Sequence, residues 1–273
     1  MSRSILLPLM LVALGGPVSV CPHPLVAQED KRVVAVLRYD NNTGEDQYEH
    51  LGRAFSSMMI SDLSVIERIQ LVERERLEEL IAELDLQQSG YVDPESAQSV
   101  GMIIGAEYVV TGAFLTVEPD MRMDTRVARV ETSEIVTTAE VTGQQESLFD
   151  LQQRLAEQVV GGLELVLTEE EEALLRAQQE ANRIDDLETM VAFSDALCLL
   201  DHGAYVQGFE AMQTVQRRSP GSQIVNAVVG ILRNRAQEEA GRRVRQEANN
   251  RIGGLLGRRN SPPPEPERPI ACG

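Results

Sequence analysis

The amino-acid sequence predicts an α/β (α+β-like) sandwich with a mixed sheet, followed by a small all-α region built around a helical hairpin. Short continuous apolar runs such as Val33–Leu37 are typical of strands that are covered on both faces. Apolar residues between these runs recur at helical spacing, so helices alternate with the first strands. From Met121 to Val130 apolar and polar residues alternate, which is typical of an antiparallel strand with one solvated face.

The first part of the chain is predicted to run strand, turn, helix, strand. The first strand covers Arg32–Tyr39, and the polar residues Asp40–Gly44 form a turn. This turn lacks the glycine spacing and the lysine of a phosphate-binding loop, so a structural role is favoured. One apolar stripe at helical intervals from Tyr48 to Ile66 predicts a long helix on the sheet, and Ile69–Val72 begins the next strand.

The stretch 68–114 reads strand, helix, helix and strand. Its first helix is predicted from apolar residues at helical spacing within 77–84. The second helix opens with Asp93 as its N-cap and Pro94 at its first position, and Gly105 ends it before a buried strand. The expected inner face of this second helix consists of Ala97, Val100, Ile103 and Ile104.

Two strands and a long helix are expected next. Met121–Val130 and Ile135–Gly143 form an antiparallel hairpin with its turn at Glu131–Glu134. A helix follows, with Ser147 as its N-cap and Leu167 at its end. Its expected inward face consists of Leu148, Leu151, Leu155, Val159, Leu163 and Val166.

Three segments carry a family resemblance: 71–90 (LVERERLEELIAELDLQQSG), the helix start Asp93-Pro94-Glu95, and 105–114 (GAEYVVTGAF). Together they resemble the curli secretion-channel (CsgG) family of curli assembly/transport proteins, including members that lack a pore. The similarity extends more weakly from Val33 to Leu167, and it assigns residues 28–167 to a CsgG-like α/β domain. The resemblance implies a role in building or exporting surface structures, or in modulating the machinery of cell-wall synthesis.

The chain departs from the pore-forming members of that family. Those members carry long amphipathic hairpins on substantial insertions, with about ten alternating residues in each pass. Between Phe114 and Ser147 there is room only for the ordinary hairpin of the domain, and its exposed face carries Arg and Asp. The channel activity is therefore not transferred, and the resemblance is to the soluble domain without the pore hairpins.

Residues 168–250 are predicted to form a helical region with one tetratricopeptide-like (TPR-like) hairpin. Thr168 and Glu171 match a capping box at its start. The two helices of the hairpin and the helix stacked on it are expected at 187–200, 205–218 and 222–250. Residues 251–273 are rich in Pro, Gly and Arg, which predicts a disordered tail.

The first 27 residues are predicted to be a signal peptide for export. A basic start precedes the apolar segment Ile5–Leu14, which is too short to span a bilayer, and Ala27 offers a cleavage point. Cys21 is a candidate for lipidation, although Val20 before it is not the small residue that such processing prefers. The expected location is the periplasm, with outer-membrane association as the alternative if Cys21 carries lipid.

The net charge of the chain limits the classes of partner that it can bind. A formal net charge of −18 argues against nucleic acid and against anionic lipid headgroups. The charge is uneven, because the stretch from Arg217 to the C-terminus holds eleven Arg and five Glu. This segment is either a solvated Arg-rich helix or a basic arm that docks on an acidic surface.

Cysteines and histidines predict no metal or cofactor site. After cleavage of the signal peptide Cys198 and Cys272 remain, and export makes a disulfide between them feasible. The alternative for Cys198 is a small buried thiol on the apolar face of a helix. His23, His50 and His202 lack the spacing of metal ligands.

The function predicted is a non-enzymatic periplasmic adaptor or scaffold in the assembly or export of cell-envelope or surface structures. Envelope proteins and a second copy of the chain are its candidate partners. The alternative is a periplasmic module that binds a small ligand near Asp40–Gly44 or regulates cell-wall synthesis. A third hypothesis is acid–base catalysis by Glu79 and Glu83, but a solvated helix face with surface ion pairs is favoured for these residues.

Overall fold

The computed structural model describes residues 31–72, 94–117 and 119–255. The predicted signal peptide with Cys21, the helix around 77–84 with Glu79 and Glu83, the Asp93 cap and residues 256–273 with Cys272 lie outside the described residues. Residues 251–255, which were assigned to the disordered tail, are helical instead. The described residues belong to a single compact unit that begins at Lys31.

Six strands and seven α-helices are found in the described ranges. The strands are β1 (Arg32–Val36), β2 (Asp40–Asn41), β3 (Ile69–Leu71), β4 (Tyr108–Val117), β5 (Asp120–Arg129) and β6 (Glu134–Gln144). The helices are α1 (Leu51–Leu63), α2 (Pro94–Ile104), α3 (Leu148–Gly162), α4 (Glu169–Ala181), α5 (Leu187–Asp201), α6 (Tyr205–Arg218) and α7 (Gln223–Leu255). Short 3-10 turns precede α1 and α3.

The strands form one mixed sheet in the order β3-β1-β4-β5-β6, and β2 pairs with the far half of β4. Strand β1 runs parallel to β3 and β4, whereas β4, β5 and β6 are successively antiparallel. Parallel neighbours need a crossover connection, and α1 supplies the one between β1 and β3. The mixed sheet with helices packed on it, followed by C-terminal helices, confirms the predicted fold class.

The main core lies between one face of the sheet and helices α1 and α3. The rings of Tyr39, Phe55 and Phe114 meet edge to face at its centre, with neighbouring centroids 6.1 Å and 5.2 Å apart. Gly112 makes room for this cluster, because a Cβ there would lie 2.2 Å from the Tyr39 ring. The Tyr39 hydroxyl hydrogen-bonds to Thr125 Oγ1 at 2.8 Å, so the buried phenol keeps a polar partner.

Among the described residues, α2 covers the other face of the sheet over β1 and the start of β4. Val100 and Ile104 of α2 pack against Leu37 and Val109. The expectation that Ile103 also faces inward is wrong, since that side chain is 53% exposed. Val100 and Ile104 lie one turn apart and fill the narrow contact, whereas Ile103 lies about 100° away around the helix.

The predicted first strand and first helix are both longer than the observed elements. Strand β1 ends at Val36 instead of Tyr39, and α1 spans Leu51–Leu63 instead of Tyr48–Ile66. Tyr39 and Ile66 are nevertheless fully buried. A residue can be buried without lying in a strand or helix. The apolar spacing therefore predicted correctly that these side chains enter the core, although it placed the ends of the elements too far out.

Helix α3 ends at Gly162, before the predicted end at Leu167. The consecutive glycines Gly161 and Gly162 weaken its last turn. Glu164 then adopts a left-handed φ of 58°, which is incompatible with a right-handed α-helix. The chain then turns away from the core, so Val166, which was expected to face inward, is 85% exposed.

The C-terminal helices pack on the same core as the sheet. Thr168 and Glu171 form the predicted capping box at the start of α4. The predicted helical hairpin is present as α5 and α6, joined by the turn His202-Gly203. Phe193 and Leu197 of α5 extend the main core from α1 into this hairpin. None of the helices in the described ranges combines the length and apolar content that a bilayer crossing requires.

Candidate functional site

In the loop Asp40–Gly44, where a small ligand was considered, the side chains of Asn41 and Thr43 hydrogen-bond within the loop and to Glu45. The Asn41 side chain accepts hydrogen bonds from Thr43 N and Thr43 Oγ1 at 3.0 and 2.6 Å, and it donates to Glu45 O at 3.0 Å. Glu45 N in turn donates to Thr43 Oγ1 at 3.1 Å. Gly44 provides the left-handed φ of 76° that closes the turn. These bonds support the structural role that the sequence favoured for the loop.

The candidate site is the polar part of the sheet face that α2 leaves uncovered. Strand β5 alternates strictly, so Met121, Met123 and Val127 enter the main core while the residues between them face the other way. We term this surface the open sheet face. It consists of Thr111 and Ala113 on β4, Arg122, Asp124 and Arg126 on β5, and Thr138 and Glu140 on β6.

An ion-pair network organises the open sheet face. Asp124 lies directly opposite Glu140 across the β5–β6 ladder, so two like charges meet. Arg122 binds both carboxylates, with Nη2 at 2.8 Å from Asp124 Oδ1 and 2.9 Å from Glu140 Oε2. The hydrogen bond to Asp124 raises the pKa of Arg122 above its ordinary value. The three side chains remain 36–57% exposed, so the charges of the network are accessible from solvent.

The open sheet face forms a shallow cleft of about 330 Å³. Its charged groups are Arg122, Arg126, Asp124 and Glu140, and its hydroxyl and amide groups come from Thr111, Thr138 and Asn42. The described residues that line it include no His, Cys, Ser or Lys. Such a lining can bind peptide groups, carboxylates and ammonium groups.

Strand β6 borders this cleft and ends the sheet. In the described ranges β6 pairs with β5 on one side only. An edge strand presents unpaired backbone N–H and C=O groups, to which an extended segment of another protein can add. The cleft and the adjoining edge therefore form one surface that suits a protein segment.

A buried charged cluster joins α1 to α5. Arg53 is 6% exposed; its Nε lies 3.1 Å from Asp201 Oδ2, and its Nη1 donates to His50 Nδ1 at 2.8 Å. Burial, together with the nearby positive charges of Arg53 and Arg38, lowers the pKa of His50 to about 4. His50 is therefore neutral at pH 7, and the Ser194 hydroxyl also donates to its backbone carbonyl. The cluster positions the hairpin on α1.

A second buried polar cluster lies where α1, α3 and α4 meet. Asp62 is 1% exposed, and Gln152 Nε2 donates to its Oδ2 at 3.2 Å. Asn182 and Gln178 donate to the neighbouring Ser61 hydroxyl at 2.9 and 3.0 Å. Burial raises the pKa of Asp62 to about 7, against the effect of the Gln152 hydrogen bond.

Cys198 is fully buried on α5. Its sulfur lies 3.6 Å from His202 Nδ1. Because Cys272 and Cys21 lie outside the described residues, the Cys198–Cys272 disulfide and the lipidation of Cys21 stay predictions. No group of three or more His, Cys, Asp and Glu residues in the described part of the chain is placed to hold a metal ion.

Sequence reasoning predicted the solvated face of β5 but missed both buried clusters. The partners are distant in the chain: Arg53 and Asp201 are 148 positions apart, and Asp62 and Gln152 are 90 apart. One signal was available. Arg53 and Asp62 interrupt a helix that is otherwise buried on almost every side, and a charge inside such a helix needs a partner.

The fold defines an α/β sandwich domain with a C-terminal helical extension. The family model described as "Curli production assembly/transport component CsgG" matches residues 21–122, which confirms the family resemblance over that segment. A comparison with curated proteins gives no significant match.

Several solved structures are similar to part of the chain. The C-terminal domain of LpoB from Escherichia coli shares 18% identity, with 44% of this chain and 87% of that chain covered and a TM-score of 0.36. Lipoprotein GNA1162 from Neisseria meningitidis shares 12% identity, with 50% and 99% covered and a TM-score of 0.37. The PelC dodecamer from Paraburkholderia phytofirmans shares 19% identity, with 53% and 94% covered and a TM-score of 0.29. No function is transferred from these likenesses.

Proposed function

We propose that this protein is a non-enzymatic periplasmic adaptor or scaffold in the assembly or export of cell-envelope or surface structures. The match to a family of assembly and transport components supports a role in assembly or export. The predicted signal peptide supports a location in the periplasm. The open sheet face supports the mode of action, which is the binding of protein segments.

The observation that carries the proposal is the position of the charged network. Arg122, Asp124 and Glu140 are partly exposed on a sheet face beside an edge strand. Charges held at an open surface can pair with a partner and set its register, whereas catalytic groups work best where water is excluded. The geometry therefore fits recognition of another protein better than chemistry on a small molecule.

The test is site-specific photo-crosslinking in intact cells. A photoreactive residue replaces Thr138 on the open sheet face, and the matched control replaces Thr214, which is also an exposed threonine but lies on α6. We expect Thr138 to give discrete products with one or a few envelope assembly or export proteins, identified by mass spectrometry, and Thr214 to give none of these. Fractionation of the same cells checks the periplasmic location.

Charge reversal makes this test decisive. Arg122→Glu with Arg126→Glu should abolish the Thr138 products while the chain stays folded by circular dichroism, because the open sheet face then becomes wholly acidic. Equal labelling from Thr138 and Thr214, or Thr138 products that survive the charge reversal, would contradict a binding role for this surface.

The second candidate function is binding of a small polar ligand in the same cleft. Its volume of about 330 Å³ lies near the lower end of the range for small-molecule sites. A ligand that fits should raise the melting temperature, and Arg126→Ala should remove that rise. No shift across a broad panel of polar metabolites would reject this alternative.

A further inference from the structure

Helix α7 continues far beyond the residues on which it packs. Its first turns are buried through Ile224, Val228 and Leu232, whereas almost all side chains described from 233 onward are exposed or nearly so. We term residues 233–255 the basic arm. At 1.5 Å per residue the arm extends by about 35 Å. It holds six Arg and three Glu, in a chain whose net charge is −18.

One face of the basic arm combines an apolar line with positive charge. Val244 is 66% exposed, and Ala240 and Ala248 lie one turn before and after it on the same face. Arg243 and Arg245 flank Val244, each about 100° away around the helix. Arg243 pairs with Glu239, and Glu247 on the Val244 side pairs with Arg251, so the arginines of this side outnumber its glutamates. A helix face of this kind fits a groove that has an apolar floor and carboxylates on its rim.

Such a groove exists on the described surface of the same chain. It lies between the C-terminal end of α3 and the helix α4, and its volume is about 260 Å³. We term it the acidic groove. Its apolar lining consists of Val160, Gly161, Leu165, Leu167 and Leu175, and its charged lining of Glu157, Glu172 and Arg176.

Carboxylates outnumber the cation Arg176 among the charged residues that line the acidic groove. Glu157 stands on one side, and Glu172 stands on the other, where it pairs with Arg176 at 3.3 Å. Glu169 lies one turn before Glu172 on the same face of α4 and is exposed. Val166, which is 85% exposed, adjoins the apolar floor. The groove therefore offers apolar contact between carboxylates, which complements the arm in both respects.

We propose that the basic arm of one copy docks in the acidic groove of a second copy. The arm cannot fold back into the groove of its own chain, because α7 is one continuous helix anchored by Ile224–Leu232, and turning it would break backbone hydrogen bonds. Each docked copy keeps its own arm or groove available for another copy, so the contact propagates into a ring or a chain unless two copies exchange arms.

This proposal deepens the proposed function and rests on it, because it supplies the contact by which a scaffold assembles. The test uses the exported full chain and measures its mass by analytical ultracentrifugation at about 0.1 M and 1 M salt. We expect association at low salt that weakens at high salt, since screening reduces attraction between exposed charges. Arg243→Glu with Arg245→Glu should weaken association by roughly tenfold or more.

Two further variants make the result specific. Arg235→Glu with Arg242→Glu changes the charge of the arm by the same amount on the side opposite Val244, and it should associate like the unaltered chain. Glu157→Arg with Glu169→Arg should weaken association in the same way as the first pair. Combining these two changes with Arg243→Glu and Arg245→Glu should restore association, because the charges of arm and groove are then exchanged.

Several outcomes would overturn the proposal. One is a chain that stays monomeric at all concentrations, and another is an Arg243→Glu, Arg245→Glu variant that associates normally. Failure of the exchanged charges to restore association would also reject it. A monomeric chain whose arm binds vesicles of phosphatidylglycerol and phosphatidylethanolamine would assign the arm to a membrane surface instead. None of these outcomes alters the crosslinking test at Thr138, so failure of this contact and failure of the proposed function are distinguishable.

Discussion

At the scale of single residues, Asp62 predicts how stability depends on pH. Its pKa is raised to about 7 by burial, so the folded chain binds a proton between about pH 4 and 7 that the unfolded chain releases. The contribution of Asp62 to the free energy of unfolding therefore falls as pH rises through this window and is lowest above pH 7. Two other buried oxygens of this cluster, Gln152 Oε1 and Asn182 Oδ1, have no hydrogen-bond partner in the described structure.

We expect Asp62→Asn to raise stability at pH 8 by about 1–3 kcal/mol and to change it little at pH 4. The Asn side chain is neutral at every pH, so burying it at pH 8 does not require a charge to leave water. The measurement is urea denaturation of the variant and of the unaltered chain at several pH values. The comparison is needed because His50, whose pKa is lowered, makes the free energy of unfolding fall as pH drops below 6.5, which is opposite in sign to the effect of Asp62. Exposed Asp150→Asn is the control. A constant difference between Asp62→Asn and the unaltered chain at all pH values would contradict this assignment.

Arg53 gives a second prediction at this scale. Arg53→Ala removes the charge that faces Asp201 and the donor to His50, so it should lower the free energy of unfolding by about 3–5 kcal/mol. Arg176→Ala, which breaks an exposed pair within α4, should cost less than about 0.5 kcal/mol. Urea denaturation of both variants checks this contrast, and a similar small loss for both would show that the buried cluster does not hold the hairpin.

At the scale of elements, the end of α3 offers a contrast between adjacent glycines. Neither Gly161 nor Gly162 has a positive φ, so alanine fits the backbone at both. A Cβ at Gly161 meets nothing within 4 Å, and Gly161→Ala should stabilise the chain by about 0.5–1 kcal/mol. A Cβ at Gly162 would lie 2.7 Å from Thr137 on β6, so Gly162→Ala should destabilise it by about 1–3 kcal/mol. Thermal melts that move in the same direction for both would contradict the packing of α3 on β6.

Most elements could be predicted from the sequence, because burial against one neighbour leaves a periodic pattern. The alternation from Met121 to Val127 gave both the strand and its core face. Element ends were harder, since they depend on local backbone geometry such as the φ of Glu164. The network of Arg122, Asp124 and Glu140 could not be predicted, because it requires the register between β5 and β6.

At the scale of the whole molecule, the sheet unit and the helical extension share one core. Phe193 and Leu197 of α5 join the cluster that contains Phe55 and Phe114. We therefore expect a single thermal transition for both parts, with calorimetric and van't Hoff enthalpies that agree. Two separate calorimetric transitions would contradict the shared core. The residues of 28–167 and 168–250 would then fold independently, as the proposed domain boundaries allow.

The central claim is that this chain acts by binding other proteins, including copies of itself. The most direct test is the solution mass of the exported chain by light scattering coupled to size exclusion. The full sequence has a mass of 30.2 kDa, and one exported subunit is lighter by the predicted 27-residue signal peptide. We predict a mass of several subunits near physiological salt that approaches one subunit at 1 M salt. A single subunit at every concentration and salt would contradict the scaffold account and leave only an adaptor that acts as a monomer.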